Sequence, residues 1–410
     1  MKARKILLLG ASGLIGRFVT DDLRIRGFDV IGIARRFPHS QPTSAADLEM
    51  PVMSMDAVAL SDLIQRHDAE IVVNCLGVLQ DGAGSITRIV HCDFVARLLQ
   101  AIKHCGRAIR LIHISIPGQA DGDRTAFSAT KREAEKLIAT SGVAYAILRP
   151  GFVVAPAAYG GSALLRAIAV LPVDLPAAES AIPFQPVAIE DIATTIAWLA
   201  DRDISDDATN ALAWDLMQPQ PTTFGRVIEQ FRWSFGTSDT RRIRPPTVTI
   251  DLLAKLGDLV NWLGWMPPMR TTAIAELRRG VVGDPRAWMA GTGIVPKTIV
   301  QAVGQRPATI QDKWFARLFL IKALVIASLT DLVALVTILT SLMDMAIGVL
   351  IALRRTSAFG LIAGMVVSLG YMAGAAILTP DLWIEPLGAL VKTGPAIVLM
   401  LVALLTLDNR

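Results

Sequence analysis

Lys5-Ile6-Leu7-Leu8-Leu9-Gly10-Ala11-Ser12-Gly13-Leu14-Ile15-Gly16 decides how the first part of this chain folds. Ile6 to Leu9 is a short continuous apolar run, the pattern of a strand buried on both faces of a parallel sheet. A glycine-rich turn follows at once. Beyond it Phe18, Val19 and Leu23 share one face of a helix, and Asp29-Val30-Ile31-Gly32-Ile33 reads as a second strand. Strand, glycine turn, helix and strand within about thirty residues form the setting in which three glycines at this spacing bind a dinucleotide. Gly10 permits the tight turn, Gly13 lets the backbone approach a pyrophosphate, and Gly16 lets the helix pack closely on the sheet. The helix start offers free N–H groups and a positive dipole end to the phosphates. Ala11, Ser12, Leu14 and Ile15 belong to the same expected cofactor cradle.

The residue that ends the second strand selects the nucleotide. An acidic side chain there holds a ribose 2′-hydroxyl; this chain has Ala34-Arg35-Arg36. Arginine pairs with a 2′-phosphate, so NADP(H) is favoured over NAD(H), with Arg35 as the contact. The alternative is that both arginines are solvated surface.

The alternation continues through strands at Glu70–Asn74, Arg110–Ser115 and Tyr145–Pro150, with a charged helix over Ala129–Ile138. This predicts an α/β fold with a doubly wound parallel Rossmann sheet. His113 alternates with apolar neighbours inside its strand and reads as a core histidine rather than a catalytic one. Cys75, Cys92 and Cys105 have neither metal-ligand nor redox spacing, and read as thiols in a reducing compartment. No secretory signal precedes the glycine turn, so the N-terminal domain is expected in the cytoplasm.

The chain has 410 residues, 52% of them apolar and 19% charged, a net charge of +4 and a mean hydropathy of +0.48. The length suggests two or three domains, and the small net charge makes no case for nucleic acid. Charges are dense to Arg317 and rare afterwards, so the positive hydropathy belongs to the C-terminal part.

The Gly10/Gly13/Gly16 spacing, Asn74-Cys75-Leu76-Gly77, Ser115, Lys131 with Glu135, Leu148-Arg149-Pro150-Gly151 and Gln185-Pro186-Val187-Ala188-Ile189-Glu190-Asp191 together resemble the extended and atypical short-chain dehydrogenase/reductases over residues 4–240. The resemblance implies that Asp56 sits near the adenine, that Asn74, Leu76, Gly77 and Pro150 line the cofactor, that Lys131 contacts the nicotinamide ribose, and that Ser115 sits beside the nicotinamide. It also implies a small lobe, mainly 152–312, with Gly151–Val154 and Phe184-Gln185 bordering a cleft. One departure matters. The family's proton-exchanging tyrosine falls at Phe127, and phenylalanine exchanges no proton, whereas hydride transfer to a carbonyl needs an acid near the forming alkoxide. Lys131 or Ser115 is the candidate catalytic substitute; Ser128 points elsewhere on the helix. Otherwise no proton is transferred, and the domain only holds the nucleotide or passes electrons onward.

Ile250 to Trp265 has apolar residues at helical spacing, with Trp262 and Trp265 near its end. Two readings stand open, a membrane-interface helix and a lobe helix with its face in the core.

Ser357–Leu378 has no charge, and Ala389–Leu407 contains only Lys392. Each is long enough to cross a hydrocarbon layer of about 30 Å. Leu318–Leu353 as one helix would reach about 54 Å, so two helices turning near Thr330-Asp331 or Thr340-Ser341 fit better. Four crossings then put Lys313, Arg317, Lys322, Arg354, Arg355 and Arg410 on the cytoplasmic side and the loop 379–386, with Trp383, outside. Leu342-Met343-Asp344-Met345-Ala346-Ile347-Gly348 and Pro380-Asp381-Leu382-Trp383-Ile384-Glu385-Pro386-Leu387-Gly388, followed by Lys392 and Pro395, resemble the DoxX-like four-helix membrane family. Asp344 and Lys392 within the bilayer form either a polar site for a quinone or proton, or a structural or snorkelling pair.

The expected organisation is a dehydrogenase-like domain over 1–312 and a DoxX-like transmembrane bundle over 313–410, a multi-pass protein of the cell (inner) membrane. Two functions compete. One is NADPH-dependent reduction of a hydrophobic acceptor such as a lipid or quinone arriving from the bilayer. The other is a non-catalytic nucleotide-binding scaffold or sensor for a membrane partner. The oligomeric state is not legible.

Overall fold

The structure is a computed structural model that describes residues 4–38, 41, 43–81, 86–118, 120–158, 160–204, 210–238, 242–261, 269–305, 308–309, 311–313, 315–316, 340–353, 355–378 and 389–407. The chain forms two compact units, Met1–Leu324 and Val325–Arg410.

The first unit is built on the apolar runs read above. They become β1 (Lys5–Leu9), β2 (Asp29–Ala34), β4 (Ile71–Asn74), β5 (Arg110–Ile114) and β6 (Ala144–Pro150). With the two-residue β3 (Leu48–Glu49) and the later β10 (Ala211–Leu216), they make a seven-stranded sheet in the order β10-β6-β5-β4-β1-β2-β3. Every pairing in it is parallel. Side chains alternate across each strand, so Ile6, Leu8, Ile71, Val73, Ile112 and Ile114 meet α1 (Leu14–Ile25) and α7 (Ile189–Asp201) on one face. Leu7, Leu9, Val72 and Leu111 meet α2 (Ala57–Arg66), α3 (Phe94–His104) and α4 (Ala126–Ala139) on the other. This is the doubly wound α/β arrangement. The strand order reverses between β1 and β4, and at such a switch point the carboxyl ends of the strands open a crevice for a ligand.

A second cluster forms beside the sheet. β7 (Phe152–Val154) pairs with β9 (Pro186–Ala188), and β8 (Pro183–Phe184) with β11 (Thr222–Thr223). Around them lie α5 (Gly161–Val170), α6 (Ala177–Ser180), α8 (Phe224–Phe235), α9 (Thr247–Asn261), α10 (Thr271–Arg279), α11 (Arg286–Thr292) and α12 (Ile299–Gly304). Phe184, Phe224, Phe231 and Phe235 fill this lobe's core. Gln185 is equally buried, donating to Gln218 O at 2.8 Å and accepting from Gly283 N at 2.9 Å. Phe184 and Gln185 therefore hold the lobe together instead of lining an open cleft, a correction to the reading above.

The second unit is helical where it is described: α13 over 340–352, α14 (Ser357–Leu378) and α15 (Ala389–Thr406). Small residues set its packing. A Cβ on Gly360 would come within 2.7 Å of Ile351 N, and one on Gly364 within 2.9 Å of the Met400 sulfur, the close approach that glycine permits between packed helices. Among the described residues no helix is long and apolar enough to cross a membrane. For α14 and α15 that statement covers 357–373 and 393–406, because the side chains of 374–378 and 389–392 are outside the description. The first expected hairpin before residue 340, the loop 379–386, the Lys392 side chain, Trp262, Trp265, Arg317, Lys322, Arg354 and Arg410 also lie outside it.

Candidate functional site

The glycine turn sits where the sheet reverses. Gly10 has φ +87°, a left-handed value that glycine adopts without penalty. Its N–H and that of Ala11 both bond to Ile33 O, at 2.9 and 3.0 Å, which locks the turn onto β2. A Cβ on Gly10 would stand 3.3 Å from the Cys75 backbone and from Leu76 Cδ2, and one on Gly16 would stand 2.1 Å from Gly10 O. Gly13 is the N-cap of α1 and supplies no side-chain cap. The first N–H groups of α1 thus face the crevice, where an anion is favoured by those donors and by the dipole. Ser12, Leu14 and Ile15 are half-buried around this turn.

Arg35 follows β2 directly, exposed beside Arg36. It lies two residues after Ile33, whose carbonyl accepts the turn's two hydrogen bonds. Asp56 caps α2, its carboxylate accepting from Ala59 N at 2.8 Å. Pro150 closes β6 in register with Leu216.

Around the end of β4 the sequence-predicted residues converge on Lys131. Lys131 is buried on α4, and its Nζ donates to Ile114 O at 2.8 Å and to Leu76 O at 3.4 Å. A Cβ on Gly77 would be 3.4 Å from that nitrogen. Asn74 Oδ1 accepts from Leu76 N at 3.1 Å, so its amide nitrogen is the one that donates to His113 Nδ1 at 3.2 Å. His113 is therefore neutral with its proton on Nε2, which has no hydrogen-bond partner among the described residues. It is the buried core histidine expected from its strand position, fully buried and with its pKa pushed well down by burial and then by Lys131.

Sequence reading missed His91. A π-helical turn over Ile89–Asp93 swings it into the same cluster, and such turns are common at functional sites. Val78 N donates to His91 Nε2 at 3.2 Å, and His91 Nδ1 lies 2.8 Å from Thr130 Oγ1, which itself donates to Ala126 O at 2.7 Å. These bonds fix the Nδ1–H tautomer. Burial, then the Lys131 charge, lowers the imidazole to about 3. Nothing in the spacing of Ile89-Val90-His91 marks it, because its role depends on the loop from β4 and on α4 together.

Phe127 sits half-buried, edge-on to the His91 ring at 5.6 Å. Ser128 is buried at the start of α4, where it completes a capping box with Thr125, so it does point away from the site. Ser115 is buried and anchored by its N–H to Leu148 O at 2.7 Å. Its Oγ has no partner at hydrogen-bonding geometry, yet lies close enough to act on the Glu135 carboxyl. Burial alone raises Glu135, but its bonds to Arg149, then the nearby Ser115 hydroxyl and the Arg149 and Arg132 charges, outweigh this and hold it below the usual carboxylate range.

The electrostatic outcome is selective. Burial pushes the Cys75 thiol up to about 12 and His91 down to about 3. Burial also lowers Lys131, to about 8. Among the described residues of this cluster, Lys131 is the group that exchanges a proton near neutral pH. No group of three or more His, Cys, Asp or Glu among the described residues is placed to hold a metal ion.

A further feature was not legible. The loop after β5 is strapped by two arginines: Arg132 bonds to the carbonyls of Ile116, Pro117 and Gly118 and to Asp123, and Arg279 of α10 bonds to Pro117 O, Asp123 and Glu276. Glu276 in turn accepts from the Thr125 hydroxyl. The loop beside Ser115 is thus tied to the small lobe through buried, mutually neutralised charges.

In the second unit Asp344 accepts from Tyr371 OH at 3.3 Å.

Residues 6–171 match the NAD dependent epimerase/dehydratase family, and residues 313–401 match the DoxX-like family. The chain thus joins a dehydrogenase-type Rossmann domain to a DoxX-like domain. No curated protein matches the chain. Among solved structures, the fold is similar to a UDP-glucose 4-epimerase of Thermotoga maritima bound to UDP-glucose (15% identity, TM-score 0.55, covering 73% of this chain and 97% of that one). It is similar to a UDP-glucuronic acid 4-epimerase of Bacillus cereus bound to UDP-glucuronic acid and NAD (14% identity, TM-score 0.55, 76% and 99%). It is also similar to an NAD dependent NDP-hexosamine 5,6-dehydratase of tunicamycin biosynthesis (16% identity, TM-score 0.53, 77% and 98%).

Proposed function

We propose that this chain, in which an NAD dependent epimerase/dehydratase-type domain precedes a DoxX-like one, is a membrane-anchored oxidoreductase that uses NADPH to reduce a hydrophobic acceptor. The observation that carries the reading is the cradle. Gly16 lies where any side chain would strike Gly10 O, α1 starts without a side-chain cap, and an exposed arginine follows β2. These features fit a pyrophosphate at the helix start and a 2′-phosphate at Arg35. Gly10, Ala11, Ser12, Gly13, Leu14, Ile15, Gly16, Asp56, Asn74, Leu76, Gly77 and Pro150 are the remaining residues assigned to the dinucleotide.

The bound nucleotide supplies hydride. An acceptor that takes a hydride also needs a proton, and Phe127 gives none. Lys131, poised near pH 8, holds that proton on Nζ, while Ser115 orients the acceptor. His91 and Thr130 keep the Gly77-Val78 loop in place and contribute no proton, since His91 stays neutral.

The bilayer enters through the second unit. Phe359, Ile362, Val366 and Leu369 of α14 and Val398, Leu399, Val402 and Leu405 of α15 are all exposed. A helix apolar on every face belongs in a protein core or in lipid, and these side chains are exposed among the described residues. This supports a multi-pass protein of the cell (inner) membrane, to which we assign the nucleotide-binding domain on the cytoplasmic side. Asp344 is assigned a structural part, anchored by Tyr371.

A second reading has one observation in its favour. With Phe127 at the family's tyrosine position, the domain serves as a nucleotide-holding scaffold or sensor for a membrane partner. The test is a fluorescence titration of the detergent-purified protein with NADPH and NADH beside an Arg35→Ala variant, followed by NADPH oxidation in native membranes against Gly13→Trp. Tight NADPH binding that Arg35→Ala weakens, with acceptor-dependent oxidation absent in Gly13→Trp, is the expected result. Binding without oxidation across lipid and quinone acceptors selects the scaffold. No binding of either nucleotide removes both readings.

A further inference from the structure

The helix α9 has two apolar faces, and only one is used. Ile250 and Ala254 pack with Ile274 of α10 and with Met269, and Gly257 is so close that a Cβ there would stand 2.1 Å from Met269 O. On the opposite side Val248, Leu252, Leu253, Leu256 and Leu259 are between 44% and 73% exposed. At 100° per residue, Val248, Leu252, Leu256 and Leu259 fall within an arc of about 80°. Contiguous exposed aliphatics of this kind mark an interaction surface.

The charges around the helix show what the surface meets. Its two acids are turned toward α10 and neutralised there: Asp251 by Arg278 at 2.8 Å and Asp258 by Arg270 at 2.9 Å. The exposed face carries Lys255, which is exposed and has no ion pair among the described residues. Arg244, which precedes the helix, is already paired with Asp174 at 2.8 Å, so Lys255 is the charge this face offers. After α9 ends at Asn261 the sequence runs Trp262-Leu263-Gly264-Trp265-Met266, and tryptophan is enriched at membrane–water boundaries. An apolar arc bordered by lysine, stripped of free acids and followed by tryptophans, fits an anionic bilayer surface, with the lysine stem along the apolar face and its ammonium among the headgroups.

We infer that α9 is an interfacial helix, lying with Val248, Leu252, Leu256 and Leu259 in the headgroup region of the bilayer. The inference rests on the reading of this chain as membrane-anchored, and it adds a second contact with lipid that belongs to the nucleotide-binding unit. The first Asp251–Arg278 and Asp258–Arg270 pairs join α9 to α10, and α10 holds the loop beside Ser115 through Arg279. α9 is thereby connected, through α10, to the loop beside Ser115.

The experiment uses the full chain in liposomes of phosphatidylethanolamine and phosphatidylglycerol, with an apolar carbene-generating photolabel dissolved in the lipid and sites mapped by mass spectrometry. Label on Leu252, Leu256 and Leu259, absent from Ile250 and Ala254 and roughly tenfold above the α2 background, is expected. A Leu252→Glu/Leu256→Glu variant should lose that label while α14 keeps its own. Label in α14 but not in α9 overturns the inference and leaves membrane anchoring standing. Label in neither helix overturns both. Copy-to-copy crosslinking through Leu256→Cys with α9 unlabelled assigns the face to a second copy and also overturns the inference.

Discussion

Phe127 lies edge-on to His91, with ring centroids 5.6 Å apart and planes at 70°. The imidazole cannot turn away, because Val78 N and Thr130 Oγ1 hold both its nitrogens. A phenol in place of the phenyl ring would therefore occupy the same position, one helical turn before Lys131, without repacking. Phe127→Tyr is expected to raise NADPH-dependent carbonyl reduction by about two orders of magnitude, the usual worth of a positioned acid. The readout is the steady-state rate with small ketones and quinones. An unchanged rate would mean that more than the acid is missing.

The glycines separate folding from binding. Gly16→Ala forces a Cβ to 2.1 Å from Gly10 O, whereas Gly13→Ala meets only Gly10 O at 3.3 Å. Gly16→Ala should destabilise the first unit by about 1–3 kcal/mol, as overpacking does, and abolish nucleotide binding. Gly13→Ala should lower the melting temperature far less than Gly16→Ala, since the 3.3 Å contact asks a shift of only a few tenths of an ångström, and still weaken NADPH, because the added methyl lies on the path of the pyrophosphate. Equal melting of the two variants would contradict this placement of the turn.

Arg110 is fully buried at the start of β5, and its guanidinium donates to Leu199 O at 2.6 Å, Arg202 O at 3.1 Å and Asp203 O at 2.9 Å. It satisfies the carbonyls that α7 leaves open at its C-terminal end. Arg110→Met keeps the volume and orphans those acceptors. The expected loss is about 3 kcal/mol, read as a drop in the denaturant midpoint with little change in its slope. A midpoint within experimental error of the wild type would show that water replaces the guanidinium.

These positions mark where sequence reading succeeds and where it stops. Five of the seven strands were legible because they are largely apolar runs, a local signal, whereas the two-residue β3 and the mixed β10 carry no such run. The glycine turn was legible because Gly10, Gly13 and Gly16 lie within seven residues of one another. α14 covers the same residues as the charge-free stretch Ser357–Leu378, so the helix was legible in the sequence. Arg110 was not legible, since as the first residue of a strand it looks like a solvated end. His91 was hidden because its partners, Val78 and Thr130, lie 13 and 39 residues away. For Ile250 to Trp265 the sequence leaves open a membrane-interface helix and a lobe helix with its face in the core; the structure shows Ile250 and Ala254 packed and Leu252, Leu256 and Leu259 exposed.

Lys131 links stability and chemistry with opposite signs. Burial lowers it from 10.5 to about 8, so between those values the unfolded chain binds a proton that the folded one does not. Stability then rises with pH across that window, and below it the folded state carries a constant penalty of about 3 kcal/mol. Lys131→Met has no such group. Between pH 7 and pH 10 the wild type should therefore gain about 2 kcal/mol on the variant, measured by thermal unfolding through the fluorescence of the buried Trp214 and Trp288. Activity should run the other way. If Nζ gives the proton that Phe127 cannot, NADPH oxidation falls as pH passes about 8, just where the fold becomes firmer. A rate that stays flat through pH 8 while the stability difference appears would leave Lys131 a buried structural amine and pass the proton-donating role to Ser115.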